Sequence, residues 1–259
     1  MEVVILCGGL GTRLREETEF RPKPMVNIGP RPILWHVMKI YAHYGHTKFV
    51  LPLGYKGEMI RDYFVNYEWM NNDITIELGK PEKLCLHECH DEAGWSITLA
   101  NTGPTTLKGG RIKQIEKYIK GDTFMLTYGD GVADINIDKL LEFHKSHGKI
   151  VTLSGVSIAQ RFGELHTEGD VVRSFQEKPK TAMGNIINGG YMVLNRKVFD
   201  YLTPDTDCDF EYGPLEQLAD AGELMVYRHD GFWACMDTLR DTEHLNQLWN
   251  ENRAEWKIW

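Results

Sequence analysis

The chain has 259 residues, 25% charged and 42% hydrophobic, and carries a net charge of −8 at neutral pH. This length and apolar content suit one large domain with a substantial core, while the acidic balance excludes a broad basic surface for a nucleic-acid polymer, which is held through clustered Lys and Arg. No apolar run of about 18 residues and no charged-then-apolar leader occurs, so no membrane span or signal peptide is expected; the five scattered cysteines read as reduced thiols of a cytoplasmic protein.

The β-branched run at 3–7 predicts a strand buried on both faces of a parallel sheet. Gly8-Gly9-Leu10-Gly11-Thr12-Arg13-Leu14 follows it directly. Closely spaced glycines permit positive φ and leave no Cβ in the way, so backbone N–H groups can converge on an anion. Arg13 and Lys23 supply the charge the backbone lacks. The competing reading is a tight strand-to-helix turn with two surface cations. Two other glycine-rich loops fail on these residues. A dinucleotide fingerprint begun at Gly9 and Gly11 meets Leu14 at its third glycine, and the next strand, 48–54, lacks the acid that would hold a ribose. No Walker A string occurs anywhere.

Helices are predicted at 32–44 and 56–66, the first with Ile33, Val37, Ile40, Tyr41 and Tyr44 on its buried face. Short alternating runs and turn residues mark 67–101 as a β-rich insertion or arm. Within it, Cys85-Leu86-His87-Glu88-Cys89-His90 has ligands zinc would accept, but no second Cys or His pair follows, and His90 leaves the strand face shared by the others. Packing, against this chain or a second subunit, is the favoured reading.

A strand at 124–127 stops at Tyr128-Gly129-Asp130-Gly131, leaving a carboxylate at a strand's carboxyl end, where open α/β sheets bind ligands. Mg2+ takes one or two protein carboxylates together with phosphate oxygens, which makes Asp130 the first candidate ligand. A helix at 137–146 and a strand at 150–157 come next. A strand at 171–175 then leads to Glu177-Lys178-Pro179, and Asn188-Gly189-Gly190 precedes another strand at 191–194. Lys178 can hold a phosphate as a point charge, and Glu177 and Asn188 can bond hydroxyls. Lys-Pro equally ends a strand, and Asn-Gly-Gly equally makes a turn. Asp237 ends an apolar run ahead of a closing helix at 238–252. It reads equally as a second metal ligand and as that helix's N-cap. The alternation predicts a single domain, 1–259, built on a doubly wound, mostly parallel, Rossmann-like α/β sheet with helices on both faces.

The loop at 8–14 with Lys23-Pro24-Met25, the Gly129-Asp130-Gly131 turn, Glu177-Lys178-Pro179 and Asn188-Gly189-Gly190 stand in the order found in the sugar-1-phosphate nucleotidyltransferases, which the chain resembles from end to end. Glu16-Glu17-Thr18, where thymidylyl and uridylyl relatives usually carry Pro-Leu-Thr, is similar to the cytidylyl branch, as are Gly54-Tyr55-Lys56-Gly57, Asn101-Thr102-Gly103, Gly109-Gly110-Arg111 and Phe232-Trp233. The resemblance implies Mg2+-assisted transfer from CTP to a sugar 1-phosphate, glucose 1-phosphate in that branch, with loss of pyrophosphate, in a homo-oligomer. It implies that Leu6, Gly8, Gly9, Gly11, Thr12, Arg13, Lys23, Thr106, Arg111 and Gly129 lie against the nucleotide. By the same carry-over Asp130 and Asp237 hold the metal, and Glu177, Lys178, Asn188 and Gly189 hold the sugar phosphate. Arg13, Lys23 and Asp130 carry the catalytic role.

Two departures leave a different phosphorylated acceptor open. Phe210-Glu211-Tyr212-Gly213-Pro214-Leu215 stands where cytidylyl relatives commonly carry Trp-Glu-Arg-Glu-Pro-Leu, and Ser157-Ile158-Ala159-Gln160 lacks their prolines. The rival from another class is a catalytically silent nucleotide-sugar sensor on the same fold. Retention of Arg13, Lys23, Asp130 and Asp237 disfavours it.

Overall fold

The computed structural model describes residues 1–79, 84–87, 90–157, 164–168, 171–176 and 186–259. Its centre is a seven-stranded sheet. Numbered in chain order, the strands are β1 Glu2–Leu6, β2 Lys48–Leu53, β3 Ser96–Asn101, β4 Thr123–Tyr128, β5 Val151–Ser157, β6 Ile186–Asn195 and β7 Leu224–His229. They lie in the order β7-β5-β6-β4-β1-β2-β3. Only β6 runs against its neighbours β4 and β5; the remaining pairs are parallel.

The apolar runs are continuous because the sheet is covered on both sides. Successive side chains of a strand point to opposite faces, and the two faces feed two cores. Val3 and Ile5 of β1, Met125 of β4 and Tyr191 and Val193 of β6 pack into one. Val4 and Leu6, Phe124 and Leu126, and Met192 and Leu194 pack into the other. The first core is closed by α1 Ile33–His43, α2 Gly57–Val65, α4 Ile137–His147 and α6 Leu239–Asn250. The second is closed by α3 Lys108–Gln114, the 3-10 segment Arg196–Tyr201 and α5 Glu216–Asp220. At about 1.5–3 kcal/mol per fully buried aliphatic side chain, these two cores are the main reason the layers stay together.

The expected doubly wound α/β architecture is present, and the differences lie in the connections. Residues 67–101 divide three ways: Tyr67–Asn71 is helical, Asp73–Ile76 pairs with Leu84–His87 in an exposed two-stranded ribbon, and the last six residues are β3, the edge of the central sheet. Asn188-Gly189-Gly190 lies within β6 instead of ahead of it. Glycine at 190 takes φ +85°, and the register against β5 slips between Leu153 and Gly155, so the three residues form a bulge and not a turn. Only four residues, Arg15–Thr18, form a helix after the first glycine loop.

Candidate active site

The carboxyl ends of β1 and β4 and the amino end of the antiparallel β6 open into one cleft of about 690 Å³. Its floor near β1 is the glycine loop, whose shape is set from beneath. The buried Arg111 guanidinium donates to Gly8 O at 3.0 Å, while Tyr55 N donates to the same oxygen at 3.3 Å. A Cβ on Gly8 would lie 2.2 Å from Arg111 Cζ, so only glycine fits. At the other end, Gly11 turns with φ +64° and Thr18 Oγ1 donates to Gly11 O and Leu14 O at 3.0 and 2.8 Å. Leu14 is fully buried and pins the loop's exit. Gly9, Thr12 and Arg13 remain on the cleft side.

Lys23, buried in the 3-10 turn Lys23–Met25, joins the two candidate metal ligands. Its Nζ donates to Asp130 Oδ2 at 2.6 Å and to Asp237 Oδ1 at 2.5 Å, and Arg13 Nη1 donates to Asp237 Oδ2 at 2.6 Å. Burial pulls the Lys23 pKa down, but Asp130 and Asp237 outweigh it and leave the ammonium above its ordinary value. Burial likewise raises the Asp237 carboxyl, and Lys23 with Arg13 more than reverses this, holding it below the usual carboxylate range.

The alternative role for Asp237 belongs to its neighbour. Thr238 is the N-cap of α6, in a capping box with Asp241, which leaves the Asp237 carboxylate facing Lys23 and Arg13. The two aspartates, far apart in sequence, are brought together by a small ribbon: Gly131–Ala133 pairs with Trp233–Cys235, and Met236 N donates to Asp130 O at 2.9 Å.

These donors fit a hard divalent cation. Two carboxylate oxygens already converge on one cationic nitrogen, and among the described residues no group of three or more His, Cys, Asp or Glu has an arrangement that could hold a metal ion. Mg2+ accepts such a pair and draws its remaining ligands from phosphate and water. The Cys/His string of the arm is dispersed: His87 Nε2 meets Thr75 Oγ1, His90 meets Glu68 and Glu92, and Cys89 lies outside the described residues.

On the β6 side, Asn188 Nδ2 donates to Tyr128 OH at 3.2 Å, Tyr128 OH donates to Glu211 Oε1 at 2.6 Å, and Lys108 Nζ reaches the same oxygen at 2.7 Å. Gly189 O accepts from Trp233 Nε1 at 2.7 Å, and Gly129 N donates to Leu6 O at 3.2 Å. Leu6, Thr106, Arg111, Gly129, Asn188 and Gly189 all line the cleft. Glu177 and Lys178 lie outside the described residues. Glu16 and Glu17 sit away from the cleft wall on the turn Arg15–Thr18. Lys108 was missed in the sequence because it stands in no chemically marked string, and the Tyr128 hydroxyl because only the Asp130 side chain of Tyr128-Gly129-Asp130-Gly131 was given a task. Glu211 was visible only as part of the departing string at 210–215.

A glycine loop after the first strand, two acids and two cations facing it, and a polar wall on an adjacent strand define a nucleotide-using transferase class at the carboxyl edge of a doubly wound sheet. The chain belongs to the nucleotidyl transferase family, whose model matches residues 2–255. It is 48% identical over 260 residues to the glucose-1-phosphate cytidylyltransferases of Salmonella typhi and of Salmonella typhimurium, with all of both chains covered in each case. Among solved structures it is similar to HddC from Yersinia pseudotuberculosis, with a TM-score of 0.68 at 25% identity, covering 96% of this chain and 99% of that one.

Proposed function

We propose that this chain transfers the cytidylyl group of CTP to glucose 1-phosphate, forming CDP-glucose and pyrophosphate. The observation that carries the reading is the Arg13–Asp237–Lys23–Asp130 cluster, set against the glycine loop in one cleft that also holds the polar wall around Asn188. The full-length similarity to glucose-1-phosphate cytidylyltransferases supports the choice of base and sugar.

An oxygen of the sugar phosphate attacks the α-phosphorus of CTP in line, and the bond to the bridging oxygen breaks to expel pyrophosphate. The attacking group is already an anion, so no enzyme nucleophile or base is required, and the protein's work is positioning and charge stabilisation. The backbone N–H groups around Gly8, Gly9 and Gly11 receive the triphosphate. Arg13 and Lys23, which neutralise the two aspartates in the free protein, are the cations available to the departing pyrophosphate. Asp130 and Asp237 would hold Mg2+, whose chemistry is to neutralise phosphate oxygens and polarise the α-phosphorus. Lys178 receives the sugar phosphate, with Glu177, Asn188 and Gly189 beside the sugar.

The departure at Tyr212 is compatible with glucose as the acceptor, and Ile158-Ala159-Gln160 of the second departing string lie outside the described residues. Tyr212 is 78% exposed, and neither it nor Gly213 lines the cleft. Homo-oligomerisation belongs to the same reading, with the exposed ribbon and Trp69 as the contact, and light scattering measures it. The activity itself is tested by incubating the chain with Mg2+, glucose 1-phosphate and each nucleoside triphosphate in turn. Pyrophosphate release with CTP above all others is expected. Release with UTP or dTTP alone overturns the cytidylyl assignment, and no release with any nucleotide or phosphorylated acceptor favours a sensor.

A further inference from the structure

We infer that Glu211 reads a hydroxyl of the acceptor sugar and sets acceptor specificity, an inference that rests on the sugar-phosphate reading of this cleft. The side chain is held by two separate parts of the fold, and its backbone by a third contact. Tyr128 at the end of β4 and Lys108 at the start of α3 both donate to Glu211 Oε1, at 2.6 and 2.7 Å. The backbone is fixed from below, because Asp209 Oδ1 accepts from Glu211 N at 2.8 Å and from Tyr212 N at 3.3 Å. Tyr128 has its place because residue 190 is glycine, where a Cβ would lie 2.6 Å from the ring. Burial, reinforced by the Glu211 charge, raises the Tyr128 pKa, so the phenol stays a donor to Glu211 while it accepts from Asn188.

All this engages one oxygen. Glu211 Oε2 is shut off from water and has no hydrogen-bond partner. A carboxylate oxygen withdrawn from solvent carries a desolvation cost that a donor must offset. Glu211 lines the cleft, so the donor can come from what the cleft binds. Hydroxyl groups are the donors that both substrates offer in quantity. Strand order decides between the two substrates. The glycine loop follows β1, β4 lies beside β1, and β6 lies on the far side of β4. Glu211 is tied through Tyr128 to Asn188 on β6, on the side away from the triphosphate cradle.

The test is steady-state kinetics with CTP and either glucose 1-phosphate or its monodeoxy analogues. Glu211→Gln keeps a carbonyl oxygen for Tyr128 and Lys108 but replaces the unpaired acceptor with an amide donor. The wild-type chain is expected to discriminate against one deoxy analogue by ~10-fold or more in kcat/KM, the range of a lost charge-assisted hydrogen bond. In Glu211→Gln that discrimination collapses, KM for glucose 1-phosphate rises ~10-fold or more, and KM for CTP stays within about twofold. Lys108→Met, which removes only an Oε1 partner, retains the discrimination. If Glu211→Gln does not fold, Glu211→Asp, which withdraws the whole carboxylate by one methylene, carries the comparison against Lys108→Met. A rise confined to KM for CTP, or a uniform loss with every analogue while discrimination persists, overturns the inference. A wild-type chain that releases no pyrophosphate with any substrate pair overturns the proposed function instead.

Discussion

Arg13 and Arg111 are both arginines on the glycine-loop side of the cleft, and their surroundings give them opposite tasks. The Arg13 side chain is 74% exposed and touches only Asp237 among the described contacts, so its removal is nearly free for the fold. Arg13→Ala is expected to keep the wild-type melting temperature while kcat falls ~10²–10³-fold, the scale of deleting one donor to a developing phosphate charge; unchanged kcat would end the role proposed for it. Arg111 is 3% exposed, and its Nη atoms are occupied by the carbonyls of Gly8, Leu53, Gly103 and Pro104 and by Thr102 Oγ1. Its influence on a nucleotide therefore runs through the loop that it braces. Arg111→Met strands several of these acceptors in the interior and is expected to cost roughly 3 kcal/mol or more in chemical denaturation. From sequence, Arg111 looked like a pocket cation because a string of residues does not say which arginine is surrounded by carbonyls.

At the level of elements, the glycine loop was the most legible part of the chain, since closely spaced glycines after a β-branched run have few other uses. The structure distinguishes glycines that the string makes look alike. A Cβ at Gly8 collides with Arg111, whereas at Gly9 it meets nothing within 4 Å. Gly8→Ala is expected to destabilise the chain by about 1–3 kcal/mol through overpacking and to raise KM for CTP as Arg111 is displaced. Gly9→Ala should melt with the wild type, and equal melting of both variants would contradict this account of the loop. The strand and helix segments at 32–44, 137–146 and 150–157 were readable because their apolar spacing is local. The edge strand Ser96–Asn101 was not, because its assignment depends on pairing with Lys48–Leu53 across a long excursion of chain. Asn188-Gly189-Gly190 misled for a similar reason: a bulge and a turn use the same residues, and only the partner strand tells them apart.

Across the whole molecule, two buried histidines tie stability to pH. Burial pulls His36 down to about 4. Its Nε2 donates to Ile28 O at 2.9 Å, and its Nδ1 accepts from Trp256 Nε1 at 3.4 Å, so the neutral ring is fully matched and an added proton would face another donor. Burial, helped by the charge of His147, lowers His144 to about 4 as well. His147 accepts Lys149 N on Nδ1 and donates from Nε2 to Thr152, whose hydroxyl then donates to His144 Nδ1. A histidine whose folded pKa lies below the unfolded value of about 6.5 binds more protons when unfolded, so stability rises with pH between the two values and is lost as pH falls. Urea midpoints are expected to drop steadily from pH 6.5 to pH 5, with His36 alone contributing up to about 1.4 kcal/mol per pH unit. A flat profile, or one unchanged in His36→Gln, would contradict this.

What could be read from the chain alone was local chemistry: a backbone able to cradle phosphate, acids at the ends of apolar runs, the alternation that makes a doubly wound sheet, and motifs in the order of one family. These survive without coordinates because they depend on neighbours a few residues apart. Folding decided everything that depends on distant parts of the chain meeting. It brought Asp130 and Asp237 onto Lys23, gave the cap of the last helix to Thr238, tied the guanidinium of Arg111 at the cleft wall into a cage of carbonyls, and buried Trp256 against His36. It also set Glu211 beside Tyr128 with one oxygen unpaired. Charge pairing, burial and hydrogen-bond satisfaction are properties of three-dimensional neighbourhoods, and the order of residues along a strand does not contain them.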